Sequence, residues 1–281
     1  MRLLAALLFV SFTTGCGGLL ISAKQERELG AGVHEEIKKQ YKLLEKDDPI
    51  TGWAVAMVKP LEGASKRFRD PAELGGYKVA VIYDDKLINA FAAPGGYTYL
   101  STGLILSATS CTEIAGVMGH ELAHVTQKHG VQAMEQQVAA GTLAQWFLGD
   151  GVAHDAILTA FGVVQSTQFS RAHEAESDEV GVQIAYAGGY NPYGLVTFFE
   201  KLLAQHGSGG PEFLSSHPAT DRRIADTSDL IKRKYPDLRR NDPQRDACQG
   251  SRLTLQDVQG RIRQKQVKVA AGTGTGRQVK R

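Results

Sequence analysis

The sequence predicts an α+β fold that is mainly helical, with a small β-sheet beside one central helix. Apolar residues recur at helical spacing over residues 112–119, with a capping-type hydroxyl near the start of the run. β-forming residues fill the segment 97–100. Because the chain has 281 residues and 42% hydrophobic composition, we expect one sizeable core in a single main domain, residues 49–240.

The amino terminus predicts a secretory signal peptide. A short charged start precedes an apolar run over residues 3–12, which is too short for a lasting membrane span. The run ends in Thr-Thr-Gly-Cys-Gly at residues 13–17, which looks like a bacterial lipoprotein site with Cys16 lipidated, although Thr13 stands where an aliphatic residue is usual. Ordinary signal cleavage with a free Cys16 is the alternative. In a diderm bacterium, Gly17 favours an outer-membrane lipoprotein that faces the periplasm.

The next segments predict one helix and one strand pair. Residues 22–44 have helical spacing and many charges, so they either link an anchor to the domain or pack as its first helix. Residues 89–96 end in Pro-Gly-Gly and precede the β-forming segment 97–100, which predicts two short strands joined by a tight loop.

Residues 120–124, His-Glu-Leu-Ala-His, are the most informative stretch of the chain. On a helix His120 and His124 lie one turn apart on the same face, where both imidazoles can bind one metal ion. Catalytic zinc normally takes three protein ligands and a water, so a third ligand must come from elsewhere. Two histidines on an exposed amphipathic helix are the alternative interpretation.

Two nearby candidates for the third ligand are excluded. A metzincin would carry glycine at position 127 and histidine at position 130, but this chain has Gln127 and Gly130. His129 would fall on the opposite face of a continuing helix, nine residues after His120. We interpret His129 as a polar residue that caps the helix before Gly130.

Further helices are expected downstream. Residues 136–168 are rich in small and apolar residues, but Asp150, His154 and Asp155 interrupt them before any span reaches membrane length, so buried or membrane-grazing helices fit. Residues 188–192 mark a turn before a second helical run. The aromatic and aliphatic stripe of that run is expected in the core and comprises Phe198, Phe199, Leu202 and Leu203.

An acidic helical segment at residues 170–181 supplies the carboxylate candidates. Glu174 and Asp178 share a helix face, whereas Glu176 points the other way. Their spacing suits one carboxylate for the metal and a second as the outer acceptor of a ligand imidazole N–H. A solvated acidic face is the alternative.

Four segments together resemble the HtpX and BepA type of zinc metallopeptidase, the gluzincin family that includes membrane prenyl-protein endopeptidases. They are residues 89–96 with 102–104, 120–129, 171–178 and 216–224. The resemblance implies a gluzincin-type zinc metallopeptidase domain with a small sheet beside the motif helix. It further implies one zinc ion, held by His120, His124 and Glu174, with Glu121 as catalytic base and Asp178 as the family's second carboxylate.

The expected chemistry is peptide hydrolysis by zinc-activated water, with Glu121 moving the proton to the leaving amine. His217 and Arg223, in the segment that resembles the family's His-Pro-x-Thr-x-x-Arg pattern, are candidate donors to the oxyanion. A neutral His217 can instead occupy the open zinc position and hold the enzyme inactive. A histidine packed before a proline turn is the third possibility. The edge of a strand at residues 89–96 can bind an extended substrate through its backbone.

The resemblance implies a lipid-anchored endopeptidase that clears misfolded or misassembled envelope proteins. An assembly factor or holdase with a structural metal is the main alternative, and an amidase of cell-wall peptides is a third. The expected partners are protein or peptide substrates in the cell envelope and the membrane, through lipidated Cys16. A net charge of +2 implies no nucleic-acid surface, and no tandem helical repeat is present in the sequence.

The remaining cysteines and the carboxy terminus complete the predicted organisation. Cys111 and Cys248 form an even pair in a compartment that permits disulfides, but the sequence leaves their pairing open. The basic tail over residues 261–281 is expected to be disordered. The predicted divisions are a signal peptide (1–15), an anchor linker with the first helix (16–48), the peptidase domain (49–240) and a carboxy-terminal extension (241–281).

Overall fold

The computed structural model describes residues 21–137, 154–166, 168–206 and 210–273, with side chains up to residue 267. The predicted signal peptide and Cys16 lie outside these residues. The helices are α1 (Ala23–Gln40), α2 (Pro49–Ser65), α3 (Thr102–Ser107), α4 (Cys111–Thr126), α5 (His129–Gln137), α6 (His154–Ser166), α7 (Arg171–Ala187), α8 (Tyr193–His206), α9 (Glu212–Ser216), α10 (Asp221–Lys234) and α11 (Leu255–Thr273). The strands are β1 (Lys78–Ile82), β2 (Ala90–Ala93) and β3 (Tyr97–Ser101).

The predicted fold class is confirmed: helices dominate, and the strands form one small sheet in the order β1-β3-β2. β1 pairs with β3 in parallel, and β2 pairs with β3 antiparallel. The predicted strand pair and its tight loop are thus confirmed. A 3₁₀ turn, Pro94–Gly96, joins the strands, with Gly95 and Gly96 at φ 73° and 78°, values that favour glycine.

Helix α4 is the centre of the molecule, and every one of its residues is buried. Ser110 caps its amino end by accepting a hydrogen bond from Glu113 N–H. Helices α7 and α8 pack on α4 more extensively than any other pair of elements. Gly181 of α7 permits the closest approach, since a Cβ there would lie 2.9 Å from the backbone nitrogen of His120. The small residue therefore lets α7 bring its acidic face to the motif.

Helix α1 packs on the domain. Of the two interpretations of residues 22–44, the structure therefore agrees with a first helix that packs on the domain. Ser22 and Gln25 form a capping box at the start of α1. Leu29, Val33 and Ile37 are fully buried and belong to a second apolar cluster with residues of the sheet and α6.

The helices downstream follow the apolar pattern of the sequence. Ala156, Ala160 and Val163 of α6 are buried, so one face of this helix belongs to the core, while Leu158 on another face is exposed. In α8, Phe198, Phe199 and Leu202 are buried as expected, with Leu203 packed against them. Among the helices described here, none is long and apolar enough to cross a membrane.

The prediction of a disordered tail from residue 261 is wrong for its first part. Residues up to Thr273 continue helix α11, which packs against α2 and α3. Leu255, Val258 and Ile262 belong to the main core, because their i, i+3, i+7 spacing forms one apolar stripe within a basic sequence. A disulfide joins Cys111 to Cys248, with Cα atoms 5.1 Å apart, and so ties the segment before α11 to the start of α4.

Candidate metal centre

The motif helix places two imidazoles together. His120 and His124 lie one turn apart on α4, both buried, with their Nε2 atoms 3.1 Å apart. The helix brings them to one face, as its 3.6-residue period requires. Two ring nitrogens at this distance in a buried site need either a shared proton or a cation between them.

Helix α7 adds both acidic candidates. Glu174 Oε1 lies 3.3 Å from Nε2 of His124, and its Oε2 lies 3.5 Å from Nε2 of His120. Asp178, one turn further, has Oδ1 at 2.9 Å from Nδ1 of His120. Glu174 thus faces the two Nε2 atoms, while Asp178 accepts a hydrogen bond from the far side of one imidazole.

His217 follows α9 and enters the same group. Its Nδ1 lies 3.3 Å from Nε2 of His120 and 2.9 Å from Oε1 of Glu174. Within the described ranges, His120, His124, Glu174 and His217 form a buried group whose ligand atoms all lie within 4.8 Å of one another. The sequence predicts that His217 lies near the reacting atoms, and in the structure His217 is the fourth member of this group.

The residues fit a zinc ion. Zinc–nitrogen bonds of about 2.0–2.1 Å in a tetrahedron imply ligand atoms about 3.3 Å apart. Five of the separations between these atoms run from 2.9 to 3.5 Å, and the whole group lies within 4.8 Å. Nδ1 of His120 donates to Asp178, so in the neutral ring the lone pair of Nε2 faces the group. Lone pairs and a carboxylate that converge in a buried site are the donor set of a divalent cation.

The electrostatics of the group favour a bound positive charge. Burial lowers the pKa of His120, but Glu174 and Asp178 outweigh burial and raise that pKa to about 9. Burial raises the pKa of Glu174, yet His217 and His120 bring it well below its ordinary value. Burial likewise raises the pKa of Asp178, which Arg223 more than reverses. Both carboxylates are therefore ionised at neutral pH.

Arg223 contacts both carboxylates and also His120, whose Nδ1 and Nε2 each lie 3.4 Å from its Nη2. Its Nε and Nη2 donate to Asp178 at 2.5 and 2.8 Å, and its Nη1 lies 2.5 Å from Oε2 of Glu174. The guanidinium also packs over the ring of Phe199, 4.8 Å from its centroid. This bidentate pairing fixes Asp178 where His120 needs its acceptor.

Glu121 lies between the metal group and the sheet. It is 1% exposed, and its Oε1 lies 3.3 Å from Nε2 of His217. Burial raises the pKa of Glu121 above its ordinary value, partly offset by His217, by His120 and by a hydrogen bond from the backbone of Ala92 in β2. A raised carboxyl pKa suits a group that takes and returns a proton.

A cavity of about 240 Å³ opens beside Glu121, His124 and His217. Strand β2 forms one wall, since Phe91, Ala92 and Ala93 line it. The other apolar walls come from Val125, Val131, Val163, Val164 and Phe169. An extended chain that enters this cavity therefore passes between the strand edge and the metal group.

The interpretation of His129 as a cap is wrong. Helix α4 ends at Thr126, and Lys128 takes a left-handed conformation (φ 60°) that directs the chain back toward α4. His129 is consequently fully buried, with Nδ1 at 3.0 Å from Nδ1 of His124. It stays outside the group that can bind the ion, as the sequence predicted. A lysine gives no sign of a left-handed turn, so the sequence held no signal for this contact.

A protein-family model and several known proteins match this chain. The model of peptidase family M48 matches residues 56–231, a range that includes all four residues of the metal group. This chain belongs to peptidase family M48. Members of the family are zinc metalloproteases, which agrees with the fit of the buried group to one zinc ion.

Several curated proteins are similar to this M48 chain. It is 28% identical to the beta-barrel assembly-enhancing protease of Escherichia coli (strain K12) over 233 residues, 78% of this chain and 46% of the relative. It is 35% identical to the putative beta-barrel assembly-enhancing protease of Vibrio cholerae (55% and 34%) and 31% identical to the metalloprotease LoiP of Escherichia coli (53% and 61%). The chain spans about half the length of the curated relatives it matches. The resemblance drawn from the motifs is confirmed.

Proposed function

We propose that this chain is a zinc-dependent endopeptidase that hydrolyses peptide bonds of misfolded or misassembled cell-envelope proteins. The observation that carries the proposal is the buried Glu121 carboxylate, which lies between a zinc-type ligand group and a free strand edge. A purely structural zinc site needs no proton acceptor beside it. The names of two relatives join proteolysis to β-barrel assembly, which supports an envelope role.

Each residue of the site has a proposed task. His120, His124 and Glu174 hold the ion, which when bound supplies an activated water and polarises the scissile carbonyl. Glu121 takes the proton of that water and delivers it to the leaving amine. Asp178 accepts the Nδ1 hydrogen of His120 and so fixes the orientation of that ring.

Arg223 was predicted as a donor to the oxyanion, and its contacts support a different task. Its guanidinium donates to Asp178 and contacts Glu174, and Arg223 is not among the described residues that line the cavity. We therefore propose that Arg223 holds the two carboxylates in place. Because the oxyanion forms on the cavity side, His217 is the better placed of the two candidate donors.

His217 has two possible tasks, and its position supports the inhibitory one. Its Nδ1 takes the fourth corner of the ligand group, the position that an active zinc enzyme leaves open for water. Substrate would then have to displace the ring before cleavage. We expect activity to rise in His217→Ala, measured as the initial rate on unfolded casein. Activity that collapses would instead identify His217 as the oxyanion donor.

The strand edge supports recognition of extended substrates. Within the described residues, strand β2 pairs with β3 and with no other strand, and its residues line the cavity beside Glu121. A peptide that adds its backbone to such an edge gains affinity with little side-chain discrimination. That property suits an enzyme whose substrates share an unfolded state rather than a sequence.

The test compares metal content with turnover. Purified wild type and Glu121→Gln are assayed for bound zinc, and both are then incubated with unfolded casein and with envelope proteins. Both proteins should hold one zinc ion, and the variant should lose about 10²–10⁴-fold in turnover, the usual contribution of a general base. A variant that retains more than a small fraction of wild-type turnover would overturn the assignment of Glu121.

A second function is favoured by one observation. Four protein ligands close a zinc site, as in structural centres, and His217 completes such a set here. An assembly factor or holdase with a structural metal would show bound zinc and no Glu121-dependent cleavage of any protein. The experiment above therefore separates the two functions.

The proposed location is the periplasmic face of the outer membrane, with lipidated Cys16 as the anchor. The support is the sequence of residues 13–17. Labelled fatty acid should be incorporated into the wild type and lost in Cys16→Ala. Equal labelling of both proteins, or of neither, would remove the anchor.

A further inference from the structure

His129 is a buried histidine that none of the proposed catalytic steps uses. It begins α5 directly after the left-handed residue Lys128, and its side chain is enclosed on all sides. Its Nδ1 lies 3.0 Å from Nδ1 of His124, and its Nε2 lies 3.2 Å from Oε2 of Glu176. Both nitrogens of a fully buried ring are thus engaged, one of them by a candidate zinc ligand.

Binding of an ion by His124 would fix which nitrogen of each ring carries hydrogen. Nε2 of His124 faces the metal group, so it must be unprotonated to bind an ion, and Nδ1 of the same ring carries the hydrogen. That N–H is donated to Nδ1 of His129. The hydrogen of His129 therefore lies on its Nε2, where it is donated to the carboxylate of Glu176.

We propose that His129 is a positioning residue that orients His124 toward zinc, with Glu176 as the terminal acceptor of the hydrogen-bond chain. The inference rests on the proposed zinc function and adds to it a second outer contact, beside that of Asp178. Outer acceptors fix the tautomer of a ligand imidazole and raise its basicity. His120 has a carboxylate in this place, whereas His124 has an imidazole backed by a carboxylate.

Neighbouring rings pack against both imidazoles, whose own planes lie 76° apart. His173 stacks on His129 with centroids 4.3 Å apart and planes 15° apart. Phe169 packs against His124 at 4.1 Å. Ser177 Oγ lies 3.2 Å from Nδ1 of His129 and is a second polar contact to that nitrogen. These contacts leave His129 one orientation, the one in which its Nδ1 meets His124.

The test is zinc affinity, measured without substrate by competition with a chromogenic chelator. His129→Leu keeps bulk but removes the acceptor, and we expect zinc to bind about 10–100-fold more weakly, the usual effect of losing an outer partner. His129→Asn restores an acceptor oxygen near the Nδ1 position and should recover most of the affinity. His206→Leu is the matched control, because it replaces an exposed histidine at the end of α8, away from His124 and His129, and it should bind zinc as the wild type does.

A second variant keeps the inference testable if His129→Leu does not fold. The side chain of Glu176 is 51% exposed, so Glu176→Leu should fold normally and still weaken zinc binding by several-fold. Folded variants at both positions that bind zinc like the wild type would overturn this inference alone. If wild-type protein binds no zinc, the proposed function fails and this inference fails with it.

Discussion

The two ends of α4 are held in different ways. At the amino end, Cys111 is bonded to Cys248, and the buried carboxylate of Glu113 pairs with Lys201. At the carboxyl end, His124 is held by directional contacts to His129 and to the carboxylate of Glu174, and by the ring of Phe169. The amino end is fixed by a covalent bond and a buried charge pair, whereas the carboxyl end is held by noncovalent contacts around the metal group. The contrast indicates that stability and precision of the metal group are built at opposite ends of one helix.

The disulfide gives the largest expected effect on stability. Cys111 and Cys248 are 137 residues apart in sequence, and a crosslink over so long a loop stabilises a domain by about 5 kcal/mol in the chain-entropy account. Cys111→Ser with Cys248→Ser should lower the free energy of unfolding by about that amount in urea titrations. Zinc affinity should stay at the wild-type value, because the pair lies at the end of α4 away from the ligands.

Reduced wild-type protein is the matched control for this variant. It should unfold at the same urea concentration as the double variant. A tenfold loss of zinc affinity in either protein would contradict the separation of the two ends.

Breaking the buried charge pair at the same end is expected to have the next largest effect on stability. Glu113 is fully buried and accepts hydrogen bonds from Thr109 N and Oγ1 at 2.8 and 2.7 Å, beside its bond to Lys201. Glu113→Ala leaves the Lys201 ammonium largely buried and unpaired, which should cost about 3 kcal/mol of stability. Lys201→Met in the same chain should restore part of the loss, since the unpaired charge is then removed.

A double-mutant cycle in urea measures this coupling. Additive losses in the two single variants and the double variant would show that Glu113 and Lys201 do not stabilise the helix as a pair.

The parts of the site that depend on helix geometry were predictable from sequence. The interval from His120 to His124 and the interval from Glu174 to Asp178 are each one helical turn, so their faces followed from the 3.6-residue period. The strand pair followed from the Pro-Gly-Gly turn and its β-forming neighbours. The position of His217 depends on how α9 packs on α8 through Phe213, and no local pattern encodes that packing.

Two predictions failed for identifiable physical reasons. The tail from residue 261 was expected to be disordered because its basic composition masked the apolar stripe that includes Val258 and Ile262. His129 was placed on the wrong side because α4 was assumed to continue past Thr126. The chain reverses at Lys128. Gly130, which suggested a helix end in the sequence, instead has an ordinary conformation inside α5.

Substitutions of Lys128, the left-handed residue after α4, are expected to have the smallest effect on stability. They also test most directly whether the chain reverses there. Lys128 is the one non-glycine residue with positive φ in the described ranges. Asparagine tolerates this conformation better than lysine, so Lys128→Asn should raise the free energy of unfolding by about 0.5 kcal/mol. A β-branched side chain is strained there, so Lys128→Val should lower it by about 1–2 kcal/mol. Because the strain would also displace His129, zinc affinity should fall in Lys128→Val and remain unchanged in Lys128→Asn.

Gly130→Ala is the matched substitution two residues along the chain. A Cβ at Gly130 would meet no atom within 4 Å, and the residue is helical, so alanine should stabilise the protein by about 0.5–1 kcal/mol. The two positions therefore respond in opposite ways to an ordinary side chain if the chain reverses at Lys128. If Gly130→Ala destabilises the protein and Lys128→Val does not, the turn lies at Gly130, and His129 would then have no fixed place beside His124.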